Sequence, residues 1–462
     1  MMMSTKTDAR ALADTQAVQA LKGRISGDVT LPGDAGYDDA RSVWNGMINR
    51  YPSIIIHCAS TDDVVNALGF AREQNLQIAV RSGGHSVAGH GTSEGGAVID
   101  LSPMKGIDVD PERKVARVQG GVTWGELDAA TQEHGLATPG GVYSDTGVSG
   151  LTLGGGFGWI RNKFGLSCDN LIGAEVVLAD GSTVRASMDE NQDLLWALRG
   201  GGGNFGIVTE FEFQLHPLGP DVMMAFVFHD GEGDKMTKAL RYYRDFALSA
   251  PDEIGTIAAC GKIPPVEDFP EEIHNHPFVL FGAIYAGPAE EGERALKPLI
   301  EYDEPLVDLS GVMPYVEAQQ MFDEEYPDGL RYYWKSLNLD RFDDDVIDRV
   351  VKHARKQVSV ASTIDIWHNA GEITRKGPED GAFFGRNAPF MINPEANWED
   401  PKDDDANIRW ARDLIADLSE FSDGSRYLNF AGFQEEGELM MKDAFGPHYQ
   451  RLAEVKAKYD PE

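Results

Sequence analysis

The spacing of apolar and polar positions gives the chain two textures. In the first half, Ser53–Cys58 (SIIIHC) is a short apolar run that reads as a buried strand. Thr61–Asn75 follows as an amphipathic helix, with Thr61 as its cap and acids in the first turn. Gln77–Arg81, Ala97–Leu101, Ile107–Asp110 and Lys114–Gln119 predict further strands, and Val122–His134 a helix ended by Gly135. Glu175–Leu178 and Thr183–Ala186 flank Asp180-Gly181, a hairpin signal; Asn191–Leu198 reads as a short helix and Gly206–Leu215 as a strand. A helix is also expected over residues 9–23, closed by Gly23. After Pro217–Pro220 the pattern changes. Strands at Ala225–His229, Phe278–Ala286, Thr363–His368 and Phe390–Asn393 alternate with amphipathic helices at Lys235–Leu248, Glu290–Glu301, Asp344–Lys356 and Asp405–Ser419. This is the α+β texture of a second domain, and Leu452–Tyr459 closes the chain as a helix.

Composition narrows the function classes. The 462 residues suit two or three domains at roughly 150 residues each. Lys plus Arg total 41 against 75 Asp plus Glu, a net charge of −34 that repels polyphosphate and anionic lipid. Nucleic-acid and membrane partners are therefore not expected. The acids are dispersed (Glu271-Glu272, Asp343–Asp345, Asp403–Asp405) and Arg outnumbers Lys, a surface resembling proteins of salt-loving organisms. The three cysteines, Cys58, Cys168 and Cys260, are too scattered for a disulfide framework or a four-Cys zinc site. Met1–Arg10 is polar, and no apolar run approaches the roughly 20 residues of a membrane span. A soluble, cytoplasmic protein is expected. His274-Asn275-His276 alternates two imidazoles without a third ligand in view, so a surface loop and no metal are expected.

The 51 glycines crowd between Gly83 and Gly206. Gly201–Gly206 fits G-x-G-x-x-G, but it follows a helix and opens a strand, which is the wrong context for a dinucleotide fingerprint. Gly147-Val148-Ser149-Gly150-Leu151 misses the last glycine of a nucleophile elbow, which argues against a serine hydrolase. Two loops remain, Arg81–Ser86 (RSGGHS) and Gly147–Gly158 (GVSGLTLGGGFG). Successive N–H groups unencumbered by side chains form concavities for phosphate oxygens, and two such loops suit a pyrophosphate. By itself this pattern reads as an anion-binding loop containing a histidine.

These loops, with Gly154-Gly155-Gly156-Phe157-Gly158-Trp159, Gly165–Leu171, Arg199–Gly206, Tyr427-Leu428-Asn429-Phe430 and Phe445-Gly446 through Pro461, carry a specific likeness. Together they resemble the FAD-linked oxidases of the berberine-bridge-enzyme type, within the vanillyl-alcohol-oxidase family with a PCMH-type FAD-binding domain. The likeness covers residues 25–217 and 382–461. It implies an α+β fold: an FAD-binding domain (20–217) of two α/β subdomains, a substrate domain (218–420) of antiparallel sheet covered by helices, and a C-terminal segment (421–462) returning to the FAD domain. It implies covalent FAD, bonded through His85 to the flavin 8α carbon. Arg81, Ser82, Gly83, Gly84 and Ser86 would surround the pyrophosphate. Gly147, Val148, Ser149, Gly154, Gly155 and Gly158 would line the ring and ribityl chain. Gly206 and Val208 would meet the adenine side, and Asn429 the ring. Many relatives have a second link from a cysteine where this chain has Tyr143, so a single histidyl link is expected.

The resemblance further implies hydride transfer from a CH–OH carbon of a sugar or small alcohol to flavin N5, with O2 or another acceptor reoxidising the flavin. Tyr427, in the Tyr-x-Asn motif, is the first choice of base, although an ordinary phenol has a pKa near ~10 and would need help. Its alternative reading is a core tyrosine. Tyr143, like Asn393, is a weaker candidate for substrate contact. Asn393, Glu395 and His368 are weaker candidates, Asn393 lying near the strand where some relatives carry a catalytic Glu. Thr146 holds the position that governs oxygen access in relatives, which leaves oxidase or dehydrogenase open. The competing reading is a flavin-binding carrier or redox sensor without turnover. The substrate and the oligomeric state are not specified by the sequence.

Overall fold

The computed structural model describes residues 15–432 and 437–461. Its first unit is a four-stranded sheet in the order Asp28–Thr30, Ile54–His57, Ala97–Asp100, Ile78–Arg81. The last three strands are parallel. Ile54, Ile55 and Ile56 are all fully buried, because helices and loops cover both faces of a parallel sheet. The helix Thr61–Glu73 makes the crossover, and Ser60 rather than Thr61 caps it by accepting from the Asp63 amide. The loop with His85 leaves the C-terminal end of the strand Ile78–Arg81. Residues 9–14 of the expected first helix, and the polar start, lie outside the described residues; the helix itself runs Thr15–Lys22.

The second unit is an antiparallel sheet in the order Ile107–Asp110, Val115–Gln119, Ile207–Gln214, Leu171–Val177, Thr183–Ser187. Asp180-Gly181 makes the expected hairpin, pairing Val177 with Thr183. The helix Gln192–Leu198 and the C-terminal helix Tyr449–Tyr459 pack together on this unit, with Leu452, Val455 and Tyr459 in its core. The Gly-rich stretch 139–165, in which the sequence showed no element, contains two short helices, Val148–Leu153 and Arg161–Phe164.

The largest sheet has nine strands, all paired antiparallel, running through Asp221–Asp230, Pro277–Tyr285, Ile254–Lys262, Thr363–His368 and Phe390–Trp398 to Arg331–Trp334. Period-two alternation sorts its side chains. Ile364, Ile366, Ile392 and Ala396 join the core under the helices Lys235–Ser249, Ala289–Ile300, Asp344–Ala354 and Asp404–Leu418. Trp367 and Met391 point the other way, into a core shared with Phe157 and Trp159 of the Gly-rich stretch. The sequence missed the central strand Ile254–Lys262 because its small residues lack the usual strand signal. They are small for a reason: a Cβ on Gly255 would fall 1.8 Å from the Trp159 carbonyl oxygen. It also ended the strand Phe390–Trp398 at Asn393, because Pro394 follows. Pro394 falls between two partner strands, one pairing up to Ile392 and the other starting at Glu395, so no ladder hydrogen bond needs its missing N–H.

Where the first half meets the large sheet, Asp128 on the helix Trp124–Gln132 is buried against Gln319, whose Nε2 donates to it at 3.1 Å. Asp128 Oδ1 and the Tyr315 hydroxyl have no partner there. Burial pushes the Asp128 carboxyl up to about 7, only partly offset by Gln319. In the unfolded chain it ionises near ~3.9. The folded state therefore holds an extra proton between these values, and this contribution to stability is lost as pH rises from about 4 to about 7. Asp128→Asn should remove that loss. The variant should gain in melting temperature over wild type at pH 8 relative to pH 4.5; an equal difference at both pH values would show that Asp128 is not held neutral.

Candidate active site

The two glycine loops converge by direct backbone contact. A Cβ on Gly83 would lie 2.4 Å from the Gly147 nitrogen, and a Cβ on Gly147 would lie 2.4 Å from the Gly83 nitrogen. Gly84 has φ +76°, where a side chain is strained. Gly83 itself is exposed, with Ser82, Gly84, His85 and Ser86 partly so, while Gly147 and Val148 are buried behind. The result is a strip of accessible main chain set in a buried wall. Ser82 Oγ is buried with no hydrogen-bond partner. A strip of open amides beside an unsatisfied hydroxyl fits the phosphates of an extended dinucleotide cofactor.

His85 is held by stacking against Trp44. Its ring lies 5.1 Å from Trp44, and Trp44 stacks on Tyr332 at 3.7 Å. Trp44 Nε1 donates to the Tyr326 carbonyl, and Asn45 Nδ2 to both Val87 and Tyr332 carbonyls. This short segment thus ties the histidine loop to the large sheet. His85 Nε2 stands 3.1 Å from Asp145 Oδ2 on the second loop.

The other expected cofactor residues divide by access. Arg81 is committed elsewhere: its guanidinium pairs with Asp100 at 2.8 Å and donates to the Ala40 carbonyl. Burial would raise the Asp100 carboxyl, but hydrogen bonds from His57 and Arg81 and the Arg81 charge bring it well below the usual range. Ser149 lies in a helix with its hydroxyl on the Gly120 carbonyl. Val148 and Val208 are core side chains, so any contact they make is through backbone. Gly158 is buried against the Gly140 carbonyl, and Gly155 against Phe383 and Tyr427. Gly206 has φ +145° and packs on Val176. Asn429 fills the space beside Gly154, where its Oδ1 lies 2.1 Å from a Cβ position.

Tyr427 is buried between Phe157 and Phe430, each ring 4.8 Å away. Its hydroxyl oxygen accepts from the Gly156 amide at 3.1 Å and from Asn429 Nδ2 at 2.8 Å. Burial raises its pKa above the ordinary phenol value, and these two donors offset that only in part. The expected base is therefore a protonated hydroxyl at neutral pH.

Tyr143 sits at the opposite side of the aromatic cluster, its ring 4.6 Å from Tyr326. The Tyr326 hydroxyl donates to Glu395 Oε2 at 2.6 Å, and Asn393 Nδ2 donates to Oε1 at 2.5 Å. Asp365 faces Asn393 across the strand pair, on the same side of the sheet. Glu395 is 1% and Asp365 6% exposed. Asp365 Oδ1 and Asn393 Oδ1 have no partner. Burial pushes both carboxyls up, Asp365 further opposes ionisation of Glu395, and the Glu325 carboxyl opposes both, so the neutral forms are favoured. Sequence reasoning ranked Glu395 low and did not single out Asp365. The only signal was the period-two row Asp365, Trp367 and Asn393, Glu395, hidden by Pro394. Next to them, Arg161 is fully buried and clamps the Gly158, Thr256 and His368 carbonyls together beneath Trp367.

The two imidazoles of 274–276 do not converge. His274 bonds the Val266 and Phe269 carbonyls, whereas His276 meets Asp230 at 2.8 Å. Asp230, Glu232 and His276 lie close enough to share an ion, a grouping the sequence did not suggest. The Lys235 ammonium, 2.5 Å from Asp230, already supplies positive charge there.

Comparisons with known proteins agree with this geometry. Residues 52–187 match the family of FAD binding domains, and residues 426–462 the family described as berberine and berberine like. An FAD-linked oxidoreductase of Dictyostelium discoideum is 30% identical over 455 residues, 97% of this chain and 95% of the relative. The (R)-6-hydroxynicotine oxidase of Paenarthrobacter nicotinovorans is also 30% identical, over 95% of each chain. The crystal structure of 6-hydroxy-D-nicotine oxidase from Arthrobacter nicotinovorans superposes with a TM-score of 0.83 at 29% identity, covering 95% of this chain and 96% of that one. The converging glycine loops, the covering antiparallel sheet and the full-length likeness together make this chain an FAD-dependent oxidoreductase of the berberine-bridge-enzyme-like family.

Proposed function

We propose that the enzyme carries FAD bonded through a single link at His85 and oxidises a CH–OH carbon of a sugar or small alcohol. The observation that carries this reading is the placement of His85 and the Asp365–Glu395 face around one aromatic cluster. When bound, the flavin accepts a hydride from the substrate carbon and passes the electrons to O2 or another acceptor. The oxidase name of the 6-hydroxynicotine relative supports O2. Ser82, Gly83, Gly84 and Ser86 would hold the phosphates, and Gly154, Asn429 and the second loop the ring. By the resemblance, Tyr143 stands where many relatives carry a second linking thiol, so the whole tether would fall on His85.

The substrate hydroxyl must lose a proton as the hydride leaves. Tyr427 was the expected acceptor, but burial keeps its proton on. Its two acceptor sites are used by Gly156 and Asn429, which leaves the O–H free to donate and so to orient a substrate or ring oxygen. Glu395 is the better base: it sits beside the aromatic cluster on Tyr326 and Asn393, and burial with Asp365 nearby gives its carboxylate, once formed, a strong hold on a proton. The same acids favour a second reading. No Lys or Arg pairs with Asp365 or Glu395 among the described residues, so a carbon bearing an amine would bring the missing positive charge. Among the described residues no helix is long and apolar enough to cross a membrane. The dispersed acidic surface supports adaptation to salt, with melting temperature expected to rise between low and molar salt.

Three outcomes test this reading. Acid-precipitated enzyme should stay yellow and His85→Ala should release its flavin; colour lost from wild type removes the linkage. Gly83→Ala forces a methyl into the Gly147 backbone and should abolish flavin retention while far-ultraviolet circular dichroism stays native. In anaerobic stopped flow, Glu395→Gln should slow flavin reduction by about a hundredfold or more, and Tyr427→Phe by about tenfold or less. The reverse order would return the base to Tyr427. A screen of sugars, alcohols and amines that bleaches no flavin would favour a carrier or sensor.

A further inference from the structure

Asp145 has no role in the scheme so far, yet its carboxylate oxygen lies 3.1 Å from the ring of the histidine that would carry the flavin. The main chain at Asp145 runs behind Gly83, with its carbonyl oxygen 3.3 Å from where a Gly83 Cβ would lie. The contact that joins the two loops therefore also places Asp145 beside the His85 loop. Asp145 Oδ2 lies 3.1 Å from Nε2, while no described residue hydrogen-bonds Nδ1. Trp44, stacked between His85 and Tyr332, limits rotation of the ring from the other side. The imidazole is thus held with one nitrogen against a carboxylate and the other unengaged.

We propose that Asp145 is a positioning residue for flavin attachment: it keeps the proton on Nε2, leaves the Nδ1 lone pair free, and stabilises the charge the ring gains as Nδ1 bonds to the flavin 8α carbon. This rests on the covalent reading above. In the step, one 8α C–H bond breaks and its proton leaves. The Nδ1–C8α bond forms, and the ring becomes an imidazolium beside Asp145 before releasing the Nε2 proton. The flavin ends two electrons reduced, and dioxygen takes those electrons to give hydrogen peroxide. A carboxylate within 4 Å of the forming cation favours it, and an amide of the same shape supplies no charge. Because Tyr143 replaces a second tether, the efficiency of this one bond decides how much enzyme is loaded.

The test compares wild type, Asp145→Asn and Asp145→Glu, each purified and incubated with FAD in air. Total flavin is read from the native spectrum and covalent flavin from the acid-precipitated pellet over time. Asp145→Asn should attach flavin about a hundredfold more slowly, and Asp145→Glu should restore most of the rate, because the charge is back one methylene further out. Attachment by Asp145→Asn at the wild-type rate overturns the proposal. So does equal loss in the Asn and Glu variants, which would mean that any change at 145 merely disturbs the loop. Wild-type flavin found wholly in the supernatant would instead remove the covalent reading beneath it.

Discussion

The backbones of Gly83 and Gly147 touch, and no side chain fits between them. Much of the site depends on that contact. It brings the loop that ends a parallel sheet against the loop that opens a helix on the antiparallel unit, so that two separately folded layers share one strip of amides. It also fixes what lies one or two residues away on each side: His85 on one loop, Asp145 on the other. A single methyl group would separate these groups, which is a steric constraint rather than an energetic preference. The stack of Tyr332, Trp44 and His85 then ties that strip to the large sheet, so the glycine loops and the sheet are registered through aromatic contact.

The sheet answers with an unusual face. Its outer side is apolar and packs under four helices. Its inner side carries Asp365, Asn393 and Glu395 among Trp367, Trp334 and Met391. Carboxyls in such surroundings cannot all ionise, because burial and mutual repulsion both favour the neutral form. A face of this kind favours neutral carboxyls, and its charge state changes with whatever binds it. Tyr427 shows the contrasting case: one hydroxyl, two donors, no cation, and a proton that stays.

The net charge of −34 belongs to another part of the molecule. Most acids of the helices and turns sit in exposed ion pairs such as Arg244–Asp344 and Lys352–Asp417, or face water without one. Exposed pairs of this sort contribute little to stability. The buried pair Arg386–Asp169 differs: two hydrogen bonds at 2.6 and 2.9 Å fasten the Gly165–Leu171 turn to the segment after Phe383. Surface charge and site chemistry are thus separate properties, joined only by the chain.

The sequence alone determined the elements with strong periodicity, the glycine loops and the histidine between them, because local backbone geometry and apolar spacing are written in consecutive residues. The family likeness rested on the same local motifs. It left out the strand Ile254–Lys262, whose Gly255 answers to the Trp159 carbonyl nearly a hundred positions earlier in the chain. It stopped at Pro394, whose tolerance depends on a gap between two other strands. It ranked Tyr427 above Glu395 because a motif names a residue type but not the burial or donors that set its protonation. Only tertiary structure decided which side chains share one face, which polar atoms lack a partner, and that Asp145 meets His85. Those facts arise from contacts between distant segments, and distance in sequence carries no record of them.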